Sequence, residues 1–122
     1  MKTAVIVAAS MFVFAAPAAA IDFATPIMQM DGKTPIRQED KSLLTLDVIV
    51  ENALLASYQD EQTLPGVEKV KRFNLAKKIH DQRKDPPVAA DEIALIKTLI
   101  AKAYPPLVTG RAWEILDPTT TK

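Results

Sequence analysis

The sequence contains no cysteine, one histidine and three glycines among its 122 residues. Without cysteine there is no disulfide framework and no thiolate nucleophile. One histidine with scattered carboxylates does not supply the ligands of a tetrahedral metal site, and three separated glycines do not make a phosphate-binding loop. We therefore predict no catalytic, cofactor-binding or metal-binding residue in this chain, and no enzymatic activity.

An excess of charge of either sign is also lacking, because 15 Lys and Arg residues face 15 Asp and Glu residues. A balanced chain has no long-range field that would attract nucleic acid or a membrane surface. The length favours a single domain. The hydrophobic content of 48% overstates the core of that domain, since the first twenty residues are largely apolar.

Residues 1–20, MKTAVIVAASMFVFAAPAAA, have the layout of a secretory signal peptide. Lys2 supplies the positive start, an apolar run follows, and Ala18-Ala19-Ala20 fits a small-residue cleavage site. A retained membrane anchor and a buried N-terminal helix stay open as alternatives, although the segment is short for a membrane span. We expect an exported or periplasmic protein if this leader functions, and a membrane contact only if the leader is kept.

The remaining residues, 21–122, predict one small domain that is mostly α (α+β), with a short N-terminal β-hairpin followed by a compact four-helix domain. Asp31-Gly32 is a typical hairpin turn, and Pro26 and Pro35 restrict the strands beside it to short edges. Apolar spacing and proline positions predict the helices. They are expected at Leu46 to about Tyr58, from a Thr63 cap to about Asp81, from about Ala90 to Tyr104, and at Pro106–Leu116.

These patterns also predict how the elements pack. The hairpin should pack on the helices through Phe23, Ile27 and Ile36, because an isolated hairpin is marginal in water. The third and fourth helices, which join at Pro105-Pro106, should form the central pair. The second helix carries apolar residues on two sides, with Val70, Phe73 and Ala76 nearly opposite Leu75 and Ile79, so it should contact neighbours on both.

The basic run Lys69–Lys84 is the one charged feature that stands out. It could bind phosphates or an acidic partner, and its candidate residues are Lys69, Lys71, Arg72, Lys77 and Lys78. Alternatively it is the solvated side of a helix. The sequence has no motif that would place a helix or strand in a nucleic-acid groove, which disfavours nucleic-acid binding. His80 at the end of this helix has neither Asp81 nor Asp85 at the spacing that faces it. We interpret it as a surface histidine favoured by the helix dipole.

Tyr104 and the single tryptophan, Trp113, are the other candidates for partner binding. Trp113 lies off the main apolar stripe of its helix. A tryptophan in a small domain is usually part of the core, yet tryptophan is also enriched where protein interfaces are strongest. Both interpretations stay open for Trp113.

Residues Phe23 to Asp117 resemble small proteins encoded by bacteriophages and prophages, mostly of unassigned function. The segments EKVKRF, EIALIK and AYPPLVxGxAW carry this resemblance. None of them is a catalytic signature. The resemblance implies an accessory, assembly or host-interaction role in the host cytoplasm or in the virion.

Three hypotheses of function follow from the sequence. The first is a non-enzymatic, phage-related protein that acts by binding another protein. The second is an exported periplasmic binding or structural module. The third is nucleic-acid binding through the basic helix, which the neutral charge of the chain disfavours.

Overall fold

The computed structural model describes residues 21–117, and within that range the chain is mostly helical, with four helices and no sheet. The predicted signal peptide lies outside the described residues. The helices are α1 (Leu46–Leu55), α2 (Gly66–Asp81), α3 (Ala90–Ala103) and α4 (Pro106–Leu116). A single 3-10 turn, Gln59–Glu61, connects α1 to α2.

The central pair of helices is α1 with α3, because α1 packs against both α2 and α3, and α3 packs against both α1 and α4. The prediction that the third and fourth helices form the centre is therefore wrong. Helix α1 buries Leu46, Ile49, Val50, Ala53 and Leu54, whereas α4 buries only Val108, Ala112 and Leu116. The width of an apolar stripe shows that a helix is buried on one side. It does not show which helix lies between two others.

The segment before α1 is extended and forms isolated antiparallel bridges instead of strands, including Met28 with Pro35 and Pro26 with Thr45. Gly32 has a φ of +70°, which suits the expected turn. Proline lacks the N–H that a continuous ladder needs, so the pairing stays local. The predicted packing of this segment is confirmed, because Phe23 and Ile27 are fully buried and Ile36 packs against the core.

Two helix boundaries differ from the prediction. Helix α1 ends at Leu55 instead of Tyr58, and the Tyr58 hydroxyl donates a hydrogen bond back to the Ala53 carbonyl oxygen at 2.6 Å. Helix α2 begins at Gly66 with Pro65 as its cap, so Thr63 does not cap it. Each difference arises in the α1–α2 connection, where the 3-10 turn takes up residues expected to be helix or loop.

Helix α2 buries one face only, and the prediction of contacts on two sides is wrong. Its buried residues are Arg72, Leu75, Ala76 and Ile79. Val70 and Phe73, on the opposite side, are more than half exposed. Residues three and four apart share a helix face, so Arg72 joins the buried stripe that Leu75 and Ile79 define. The opposite side of α2 is thereby left as an outer surface.

Candidate functional site

The outer face of α2 exposes a row of three apolar side chains. Val67, Val70 and Phe73 are 68%, 56% and 54% exposed. They follow one another at intervals of three residues along the helix, so they are neighbours on its surface. Single exposed apolar residues are common on soluble proteins, whereas large contiguous apolar patches mark interaction sites, so this row is the candidate interaction surface of α2. We call these three residues the apolar row.

Exposed lysines flank the apolar row. Lys69 and Lys77 each lie four residues from Phe73, and Lys71 lies four residues from Val67, so each is a surface neighbour of the row. Lys71 and Lys77 form local ion pairs on the same helix, with Glu68 at 3.5 Å and Asp81 at 3.2 Å. Exposed pairs of this kind are weak, so a partner can compete for both lysines.

Arg72 does not lie on this surface, contrary to its prediction as a partner-binding residue. Its side chain is 8% exposed and makes a bidentate ion pair with the Glu61 carboxylate, at 2.7 and 3.0 Å. The hydrogen bond from Arg72 lowers the pKa of Glu61 to about 2. Arg72 therefore fixes the 3-10 turn against α2. Its spacing from Leu75 and Ile79 is the sequence signal that would have placed it inside.

Lys78, the fifth predicted basic residue, lies at the edge of a groove between α2 and α3. The groove has a volume of about 650 Å³. Leu75 and Leu95 are its apolar lining residues, and the polar ones are Glu68, Lys71, Asn74, Lys78, Asp91 and Glu92. Lys78 reaches Glu92 across it at 3.5 Å. Among the ion pairs of residues 21–117, this is the one that joins α2 to α3.

A smaller pocket of about 260 Å³ lies where α1 ends. Its lining combines the end of α1 with the 3-10 turn and α2, and includes Leu55, Tyr58, Glu61 and Arg72. Burial raises the pKa of the Tyr58 hydroxyl. Glu61 and Arg72 neutralise each other here, and Lys69 is the other charged residue of the lining.

The two aromatic candidates, Tyr104 and Trp113, both connect helices. The Trp113 indole N–H donates to the Lys97 carbonyl oxygen at 3.2 Å, and the Lys97 ammonium lies 4.6 Å from the centroid of the Trp113 ring. Trp113 is nevertheless 38% exposed. The Tyr104 hydroxyl accepts a hydrogen bond from the Asn52 side chain at 3.1 Å. Both side chains hold α3 to its neighbours, and Trp113 also keeps an exposed edge.

His80 has an acidic neighbour that sequence spacing did not indicate. Its Nδ1 lies 3.3 Å from a carboxylate oxygen of Glu51, which belongs to α1. Burial raises the pKa of Glu51, and the other carboxylate oxygen has no hydrogen-bond partner. The His80 side chain is 70% exposed, as expected for a surface histidine. The Glu51 contact was missed because it is 29 residues away in the sequence.

We expect Glu51→Gln to stabilise the protein at neutral pH. A raised pKa means that the folded state favours the protonated carboxyl, so the ionised form opposes folding above that pKa. A neutral amide removes this penalty, so the free energy of unfolding should rise. Urea unfolding at a series of pH values checks this. The advantage of Glu51→Gln should grow as the pH rises above 4.5, the ordinary value for Glu. If Glu51→Gln were no more stable than the wild type at any pH, the raised pKa of Glu51 would be contradicted.

Within residues 21–117, no group of three or more His, Asp or Glu side chains is placed to hold a metal ion. No helix in the same range is long and apolar enough to cross a membrane.

Comparison of the chain with protein-family models, with curated proteins and with solved structures finds no match.

Proposed function

We propose that this protein is a non-enzymatic, phage-related accessory, assembly or host-interaction protein that acts by binding another protein through the outer face of α2. The observation that carries the proposal is the exposure of Val67, Val70 and Phe73 on the side of α2 opposite the core. The free energy of burying apolar surface drives most protein association, and these side chains are available for it. The phage-related part of this proposal rests on the resemblance of residues Phe23 to Asp117 to small phage and prophage proteins.

The two other hypotheses receive less support. Nucleic-acid binding through all five predicted basic residues is disfavoured, because Arg72 is paired inside the fold and Lys78 is paired with Glu92. An exported module is compatible with the same surface and depends on whether residues 1–20 are a signal peptide. The mature N-terminus decides that point. In the proposed architecture the turn at Gly32 closes a short hairpin, which covers the core while α2 presents the binding surface.

Site-specific photo-crosslinking in the producing cell tests the proposed function. With p-benzoylphenylalanine in place of Phe73, we expect one discrete protein adduct, because the photoreactive group then lies in the binding surface. The matched position is Met30, another exposed apolar residue, which is 79% exposed and lies outside α2. Equal adducts at both positions, or none at position 73, would overturn the proposal.

A second set of variants in the crosslinking experiment distinguishes a loss of binding from a loss of folding. Val67→Ala combined with Val70→Ala removes apolar surface that is already exposed, so stability should change by no more than about 0.5 kcal/mol per site. The adduct at position 73 should nevertheless be lost in this background. An adduct of unchanged yield would show that the apolar row is not the binding surface.

A further inference from the structure

The apolar row has the geometry of a helix-packing ridge. Side chains at intervals of three residues form one of the two ridge types through which helices pack. Such a ridge fits between the rows at intervals of four on a second helix, with the two axes about 20° apart. From Val67 to Phe73 the row covers roughly 9 Å of helix axis, at 1.5 Å per residue. A partner helix of about three turns would cover it together with the flanking lysines.

The charges beside the row favour a partner that carries carboxylates. Helix α2 has five basic residues, Lys69, Lys71, Arg72, Lys77 and Lys78, against two acidic ones, Glu68 and Asp81. Lys69, Lys71 and Lys77 are exposed next to the apolar row. Complementary charge steers association, and like charges placed together oppose it. A second copy of the chain docking through the same face would bring these lysines together, so self-association there is disfavoured.

An anionic membrane fits this surface less well than a protein helix does. Helices that lie on membranes have a broad apolar face opposite a strongly polar one. In α2 the exposed apolar row is one side chain wide, and the core takes the other apolar residues.

Building on the proposed function, we propose that the partner element that docks on α2 is an acidic amphipathic helix. Its apolar side chains pack on both sides of Val67, Val70 and Phe73. Its Asp and Glu side chains face Lys69, Lys71 and Lys77 and replace the weak local pairs that Lys71 and Lys77 now make.

The experiment maps the segment that is captured by p-benzoylphenylalanine at position 73 of the full chain. Digestion of the adduct and mass spectrometry identify the crosslinked peptide. We expect a peptide from a different protein, with helical apolar spacing and more Asp and Glu than Lys and Arg. The proposal of an acidic helix would be overturned by a neutral or basic peptide, by a peptide of this chain itself, or by a lipid adduct. A protein adduct of the wrong charge leaves the proposed function standing, whereas the absence of any protein adduct removes both.

Charge variants provide an independent readout on the same adduct. The triple variant Lys69→Glu, Lys71→Glu and Lys77→Glu should lower the adduct yield at least about tenfold, because three attractive contacts become repulsive. The matched triple substitution by arginine should keep the yield, and Lys33→Glu, at an exposed position outside α2, should also keep it. If the glutamate triple crosslinks as well as the arginine triple while remaining folded by circular dichroism, charge does not select the partner and the inference fails.

Discussion

Replacing Glu61 with alanine is expected to destabilise the protein by about 3 kcal/mol, since it leaves the Arg72 guanidinium buried without its counter-charge. The Arg72 side chain is 8% exposed and its Nε already lacks a hydrogen-bond partner. Folded domains of this size are stable by roughly 5–15 kcal/mol, so the loss is a large fraction of the total. Urea unfolding followed by the fluorescence of Trp113 measures it.

Asp60→Ala is the matched control for Glu61→Ala. Besides Arg72, Glu61 pairs with the Lys102 ammonium at 3.1 Å. Asp60 is the adjacent carboxylate and pairs with Lys102 at 3.0 Å, but its side chain is 67% exposed. We expect it to change stability by less than about 1 kcal/mol. Equal losses for the two variants would contradict the structural role of the Glu61–Arg72 pair.

The pH dependence provides a second check on the same pair. Because the pKa of Glu61 is lowered from 4.5 to about 2, its contribution is fully present above pH 4.5 and is lost as the pH falls through about 2. The wild-type protein should therefore lose stability across this window more steeply than Glu61→Ala does.

Phe23→Ala is expected to cost about 3–4 kcal/mol, because a large, fully buried ring is removed and a cavity remains. The surrounding backbone cannot easily collapse into that cavity. The Phe23 N–H donates to the Arg83 carbonyl oxygen at 2.8 Å, and the Phe23 carbonyl oxygen accepts from the Asp47 N–H at 2.7 Å. Urea unfolding again provides the measurement.

Met30→Ala serves as the control for Phe23→Ala, since Met30 lies in the same extended segment and is 79% exposed. Its effect should stay within about 0.5 kcal/mol. Should Phe23→Ala cost no more than Met30→Ala, residues 21–45 would not be part of the cooperative fold.

Local sequence patterns predicted the helices well. The spacing of apolar residues and the positions of capping residues and prolines can both be read from a short stretch of sequence. Pro105-Pro106 ended α3 and began α4 as expected. The burial of Phe23 and Ile27 was also predicted. The position of α1 between two other helices was not, since it depends on contacts between residues far apart in the sequence.

Prediction of the candidate surface was less successful, and α2 shows why. An apolar residue in a helix has the same identity whether a neighbouring element covers it or not, so Val70 and Phe73 were expected to be packed. Arg72 shows the opposite error, because its charge predicted an exposed side chain although its spacing matches the buried stripe. The counter-charge that allows its burial, Glu61, lies eleven residues earlier in the 3-10 turn. Glu51 beside His80 was missed for the same reason.

The hydrogen bonds that hold the start of the described chain have a consequence for synthesis. Ile21 and Phe23 bond to Asp85 and Arg83, which the ribosome adds about sixty residues later. Until those residues have left the ribosome, the hydrogen bonds of Ile21 and of the Phe23 N–H cannot form, and Phe23 is held through its carbonyl oxygen by Asp47 alone. These contacts therefore form only after α1 and α2 have been made, and the first residues of the segment are fixed over the core when the α2–α3 loop has emerged.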